Sequence, residues 1–158
     1  MNRLTLKLII FCVSVFTPIW QAVAQDYFLE LPAGFEAIPD TDIPWISGPD
    51  YPGSELAFLY GNPAKAGFYV MRVKFYEGTM STPHYHDKDR YITVLQGTWW
   101  VGMSNDLGEI VPMQPGGFMV HPSDAVHFDG SVEGEVIVEV RGMGPVASTQ
   151  VPSIGSRD

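Results

Sequence analysis

GTMSTPHYHDKDRYITVLQG, residues 78–97, is the stretch that decides how this chain folds. At its centre His84 and His86 are separated by one residue. In an extended strand successive side chains alternate faces, so these two imidazoles point the same way from α-carbons roughly 6.6 Å apart. Two rings leaning inward from that spacing can meet one metal ion at about 2.0–2.1 Å from each nitrogen. A third histidine, His127, sits in a second Pro/Gly-punctuated stretch, PGGFMVHPSDAVHF, residues 115–128. If the chain folds back so that His127 faces the pair, three imidazoles form one face with open positions beside it.

The rest of the chain bounds what such a face can belong to. At 158 residues it is one domain's worth of chain. Its N-terminus reads as a secretory signal, with Arg3 and Lys7 ahead of an apolar run from Leu8 to Trp20 and an Ala22-Val23-Ala24 cleavage site. The run is shorter than the roughly 20 residues that span a bilayer. Cys12 lies inside it, so a mature chain starting at Gln25 carries no cysteine and no disulfide, and its core alone must hold it. Removing Arg3 and Lys7 from the 9 basic residues leaves 7 against 18 acidic ones. So acidic a surface repels nucleic acid and anionic lipid. The expected localisation is periplasmic or secreted, with no membrane contact once the signal is cleaved.

After the signal, residues 25–53 form an irregular arm. Pro32, Pro39, Pro44, Pro49 and Pro52 break any period, one short strand is allowed, and Phe35 and Trp45 are candidate anchors. From Glu55 the pattern changes. In GFYVMRVKFYEG, Met71, Val73 and Phe75 alternate with Arg72 and Lys74, which marks a half-buried strand. Further strands are expected at 91–96 and 98–103 around Gly97, at 109–113, at 118–121 and 125–128 around Pro122-Ser123-Asp124, and at 134–142. The stretch 142–151 has room for one more strand. Residues 152–158 read as a flexible tail. No stretch after the signal carries a 3.6-residue period, and many short strands with Gly/Pro turns imply an antiparallel sandwich or barrel over 54–151.

An H-x-H pair alone carries little, but this one opens a strand and His127 matches it in a second turn-bounded stretch. Gly78, five residues, His84-Tyr85-His86, three residues, position 90, six residues and Gly97 resemble the first motif of the cupin superfamily. Pro115-Gly116-Gly117, then Pro122 and His127, resemble the second. The core of the likeness covers about 68–141. The wider frame (Trp45, Pro52-Gly53, Gly61-Asn62-Pro63, Gly67 and Gly142 to Pro145) resembles a group of exported single-domain cupins. The resemblance implies an all-β, single-domain jelly-roll β-barrel with an irregular N-terminal arm and a metal at the barrel's open end. It fixes no particular reaction, and it suggests a homodimer formed through edge strands.

One position departs from the family pattern. Where the first motif supplies a glutamate ligand, this chain has Arg90, which has no lone pair to give. Aiming it at a divalent cation about 5 Å away costs roughly 6–7 kcal/mol at an effective dielectric of 20. Two arrangements avoid that cost. Arg90 turns outward to Asp87 or Asp89, or it faces the pocket and grips a substrate anion lying between it and the metal. Either way the ligand set is His84, His86 and His127. The resemblance then implies the three-histidine subgroup, which includes iron-dependent dioxygenases of the cysteine and acetylacetone type. His121 stands where cupins usually carry an aliphatic residue. It is open to three roles: an additional ligand, a donor that orients a ligand ring, or a core histidine bonded to a backbone carbonyl.

Imidazole ligands suit iron, zinc, nickel or copper, and manganese where oxygen ligands add in. Phe75, Met80, Tyr91, Trp99 and Met119 are candidates for an apolar pocket lining or for plain core. Only one of Trp99 and Trp100 can face inward. Asp124 and Asp129 flank His127 and either can orient a ring or shape a turn. Three readings fit, and fold alone does not separate them. One is a metal-dependent enzyme on a small oxygenated or carboxylated molecule, by dioxygen activation, isomerisation or lyase chemistry. Another is a non-catalytic cupin that binds a metal or small ligand, and the third is a cupin barrel without metal. The export signal predicts a mature N-terminus at Gln25, which N-terminal sequencing of the exported protein reads; a chain still starting at Met1 would refute it.

Overall fold

A computed structural model describes residues 33–48 and 52–155, so the expected signal at 1–24 lies outside the described residues. The chain divides into a short unit ending at Glu36 and a compact one, Ala37–Asp158. In the first, residues 33–36 are described, and Phe35, expected as an anchor, is 68% exposed.

The second unit is an all-β barrel. Its strands are β1 (Ile46–Ser47), β2 (Ser54–Tyr60), β3 (Gly67–Phe75), β4 (His84–His86), β5 (Arg90–Gln96), β6 (Trp99–Gly102), β7 (Val111–Met113), β8 (Phe118–His121), β9 (Phe128–Gly130), β10 (Val136–Gly144) and β11 (Ser148–Gln150). Six form one antiparallel sheet in the order β1-β2-β3-β10-β5-β8. Opposite it lie the ribbons β11-β4 and β7-β6-β9. Antiparallel bridges at His84–His127 and Met80–Gly130 join those ribbons into one layer. Strands adjacent in space but distant in sequence, such as β3-β10 and β5-β8, are the jelly-roll pattern.

Period-two alternation produces the core. Tyr69, Met71, Val73 and Phe75 of β3 point inward, as do Ile92 and Val94 of β5 and Val136, Val138 and Val140 of β10. The register sets them in rows: Met71 faces Val140, which faces Ile92. Branched side chains fit this pleated surface, and each fully buried one contributes about 1.5–3 kcal/mol. Trp99 is the largest fully buried side chain, while Trp100 is turned the other way and only half-buried. Trp45 is tied to the barrel by the Lys74 ammonium, which sits 4.3 Å from its ring centroid and 3.0 Å from Glu55.

Three expectations differ from what is observed. The stretch 125–128 is not a strand: His127 makes a single bridge and β9 starts at Phe128. The strand expected at 134–142 runs on to Gly144, leaving β11 as a separate piece. Pro152 and Ile154 of the expected tail are held by the 105–107 loop, with Ile154 N–H donating to the Asn105 carbonyl and Leu107 N–H to the Ile154 carbonyl.

The β5–β6 turn provides a test of how closely the chain leading into β10 passes it. Gly97 has φ 70°, and a Cβ there would lie 2.1 Å from the Glu135 carbonyl oxygen, whereas Gly78, at φ 76°, has open space around it. Alanine at either site bears the left-handed penalty of about 1–2 kcal/mol. Gly97→Ala alone also drives a methyl into backbone, so its urea midpoint should fall clearly below that of Gly78→Ala. Equal midpoints would show that the close approach is relieved without cost.

Candidate metal centre

The ligand cluster is made by backbone pairing. His84 N–H donates to the His127 carbonyl at 2.8 Å and His127 N–H donates back to the His84 carbonyl at 2.9 Å. Residues that exchange both bonds sit directly opposite, with side chains on one face of the layer. His86, two residues along β4, points the same way. The turn before His127 is fixed by Asp124, which takes φ 63° and donates its N–H to the His86 carbonyl at 2.7 Å. Asp tolerates this left-handed geometry better than most residues.

His84, His86 and His127 are all buried, with candidate ligand nitrogens within 4.8 Å of one another. Ring centroids lie 4.4 Å apart for His84–His127, 4.9 Å for His84–His86 and 5.5 Å for His86–His127. Each Nδ1 meets a carbonyl: Thr82 at 2.8 Å for His84, Ala147 at 3.2 Å for His86 and Ala125 at 2.9 Å for His127. A carbonyl only accepts, so each Nδ1 carries the proton and each Nε2 keeps its lone pair. Burial, then the Arg90 charge and then the neighbouring imidazoles push His86 down to about 2. Burial also lowers His127, against the opposing charge of Asp129, to about 4. Neutral, oriented imidazoles are the form a divalent metal needs, so the donor set fits such an ion.

The opposite wall is a row across the large sheet. Tyr69 of β3, Gly142 of β10, Arg90 of β5 and His121 of β8 are successive cross-strand partners. A Cβ on Gly142 would come within 2.7 Å of the Tyr69 hydroxyl oxygen, so glycine here leaves room for Tyr69 to reach Arg90. Burial raises the pKa of Tyr69 despite the Arg90 charge beside it, so the phenol stays protonated.

Arg90 therefore faces inward. The outward arrangement toward Asp87 or Asp89 is not what forms; those carboxylates accept from backbone amides, Ala147 N–H to Asp87 at 2.7 Å and Ser123 N–H to Asp89 at 2.8 Å. The Arg90 Nη1 instead contacts Nε2 of His86, and its Nε is buried without a hydrogen-bond partner. Among the described residues it forms no ion pair with a carboxylate.

His121 shares the cavity. Its ring centroid is 3.9 Å from that of His127 and it stacks on Trp99 at 5.6 Å, while its buried Nε2 has no partner. Burial, then His127 and Arg90, push it down to about 2. The two walls enclose a cavity of about 220 Å³, with Met71, Val73, Phe75, Val138 and Val140 among its apolar lining. Of the side chains proposed to line a pocket, Phe75 does; Met80, Tyr91, Trp99 and Met119 do not. The Nδ1 atoms of the three clustered imidazoles meet backbone carbonyls, not Asp124 or Asp129. Asp129 accepts from Trp99 Nε1 at 3.0 Å and Ser81 at 3.1 Å. Sequence reasoning missed Tyr69, although it stands in phase with Met71, Val73 and Phe75.

These lowered values fix a pH dependence for the metal-free protein. Unfolded histidine titrates near 6.5, so below that pH the unfolded chain binds protons that buried His86 and His121 refuse. Stability is therefore full above about pH 6.5 and falls with pH, by at most about 1.4 kcal/mol per unit for each such histidine. Urea midpoints between pH 7 and 4.5 should show that fall. His121→Phe should flatten it, and an unchanged slope in that variant would refute the assignment.

The family profile described as Cupin matches residues 63–152, more than half of the chain. The polyketide cyclase RemF from Streptomyces resistomycificus is similar in structure, with TM-score 0.60 and 18% identity over 74% of this chain and 87% of that one. A sugar phosphate isomerase of the cupin superfamily from Silicibacter pomeroyi gives 0.60 and 21% over 73% and 82%. A cupin-like protein from Thermotoga maritima gives 0.55 and 18% over 67% and 83%. No curated protein sequence matches significantly. At these identities the likeness carries the fold alone, but with the profile covering both histidine-bearing stretches, the chain belongs to the cupin family.

Proposed function

We propose that this cupin is a metal-dependent enzyme acting on a small oxygenated or carboxylated molecule, with one divalent transition metal held by His84, His86 and His127. The observation that carries this reading is the convergence of three buried, Nδ1-tethered imidazoles on one wall of a partly open cavity. When bound, such an ion supplies Lewis acidity, and a redox-active one also supplies electrons for dioxygenase-like chemistry.

The remaining groups define what enters. Among the described residues, Arg90 is the only Lys or Arg lining the cavity, and the one acid there, Asp129, accepts from Trp99 and Ser81. A guanidinium without a carboxylate partner suits an anion, most simply a carboxylate gripped by its fork. The Tyr69 phenol lies beside Arg90 and burial keeps it protonated, so it brings a hydroxyl donor to the same wall. At about 220 Å³ the cavity is smaller than the 300–1,000 Å³ of sites for drug-sized ligands, so the substrate is small. Two proteins of like fold are named as a polyketide cyclase and a sugar phosphate isomerase, in keeping with this class.

The experiment is metal analysis of purified protein by mass spectrometry, followed by oxygen uptake with small keto acids, diketones, thiols and aromatic acids. We expect about one transition metal per chain, lost in His84→Ala and His127→Ala, with turnover of at least one acid. Wild type without stoichiometric metal, or either variant retaining it, refutes the site. Metal without turnover moves the protein to the non-catalytic binding class.

A further inference from the structure

We infer that Arg90 is a displaceable plug on the metal site, so that binding of a small carboxylate and binding of the metal reinforce each other. This rests on the three-histidine reading but goes beyond it, because it assigns the site a metal-free closed state and a means of opening. An imidazole Nε2 has one lone pair, directed in the ring plane. With Nδ1 of His86 donating to the Ala147 carbonyl, Nε2 is the acceptor, and the guanidinium Nη1 donates to it. The same lone pair cannot serve Arg90 and an ion together. Any metal held by His86 must therefore first move Arg90 aside.

The surroundings show what would move it. It contacts His86 and lies beside the Tyr69 phenol, neither of which carries negative charge while Tyr69 keeps its proton. Asp87 and Asp89, the acids closest in sequence, are held by the amides of Ala147 and Ser123. Its Nε and the neighbouring His121 Nε2 are both buried without partners, two unused polar groups on adjacent strands. A small carboxylate entering the cavity offers the charge that Arg90 lacks. Once gripped, it draws the guanidinium from His86 and lies between a +1 and a +2 centre that would otherwise repel. Coupling between two ligands is reciprocal, so the carboxylate tightens metal binding by the factor with which metal tightens the carboxylate.

The test titrates metal-free protein with Co(II), read by its visible absorption and corrected for chelation in solution, with and without propionate. In wild type, saturating propionate should tighten Co(II) binding at least about fivefold, the lower end of typical couplings. Arg90→Met, which has no donor and no charge, should bind Co(II) tighter than wild type without propionate and show no response to it. Wild-type affinity indifferent to propionate, or Arg90→Met binding Co(II) no tighter, overturns the plug while leaving the metal site standing. Absence of Co(II) binding in both proteins overturns the metal site itself, and the plug with it. If Arg90→Met does not fold, histidine ¹⁵N shifts of metal-free wild type decide. Propionate should shift His86 Nε2 while His84 and His127 stay in place; an unmoved His86 refutes the inference.

Discussion

The two hydrogen bonds exchanged between the backbones of His84 and His127 are what the functional end of this barrel depends on. They join the β11-β4 ribbon to the layer containing β9 and set two imidazoles from distant sequence face to face. Everything else about the cluster follows from pleat geometry. His86 shares the face because it is two residues from His84, and Tyr85 must turn away because it lies between them. A slip of one residue in that pairing would send the imidazoles to the outside. Asp124 guards the register, since its amide closes onto the His86 carbonyl from a left-handed turn.

The second constraint is electrostatic. One wall presents neutral lone pairs and the facing row presents a cation, Arg90, with no carboxylate to answer it among the described residues. A partly buried charge without a carboxylate partner is costly, and here it meets an imidazole lone pair and lies beside a phenol. The alternation of β5 leaves little choice, because turning Arg90 outward would turn Ile92 and Val94 outward with it. The core therefore holds the cation in the cavity, and the site is built around that fact.

Much of this was legible in the chain. Gly78, His84, His86, Gly97, Pro122 and His127 carry the two-motif spacing, and the Gly/Pro turns with period-two runs gave the all-β barrel and most strand positions. What stayed hidden depends on long-range partners. Asp87 and Asp89 read as natural counter-ions for Arg90, and only the tertiary fold shows that amides of Ala147 and Ser123 occupy them. The carbonyls that set the three tautomers come from irregular backbone, which has no side-chain signature. Tyr69 was within reach of the alternation in β3, but its role needs Gly142 opposite it, and cross-strand register is not written in either strand alone. The stretch 125–128 looked like a strand because Val126, His127 and Phe128 have strand composition. The turn at Asp124 takes up the first of those residues, so pairing starts only at His127.

The division of the interior into an apolar floor and a polar end explains how one small barrel tolerates such a site. Toward the floor, rows of Val, Ile, Met and Phe supply the burial that holds the sheets together without a disulfide. At the polar end, four imidazoles, a guanidinium and a phenol are packed where apolar side chains would have been more stabilising. The unpartnered Nε atoms of Arg90 and His121 are the residue of that choice: a core selected for stability alone would satisfy or remove them. Their joint position in one cross-strand row, opposite the three tethered histidines, gives the unmet hydrogen bonds a common direction into the cavity. A ligand with two oxygens on one carbon can meet both walls at once.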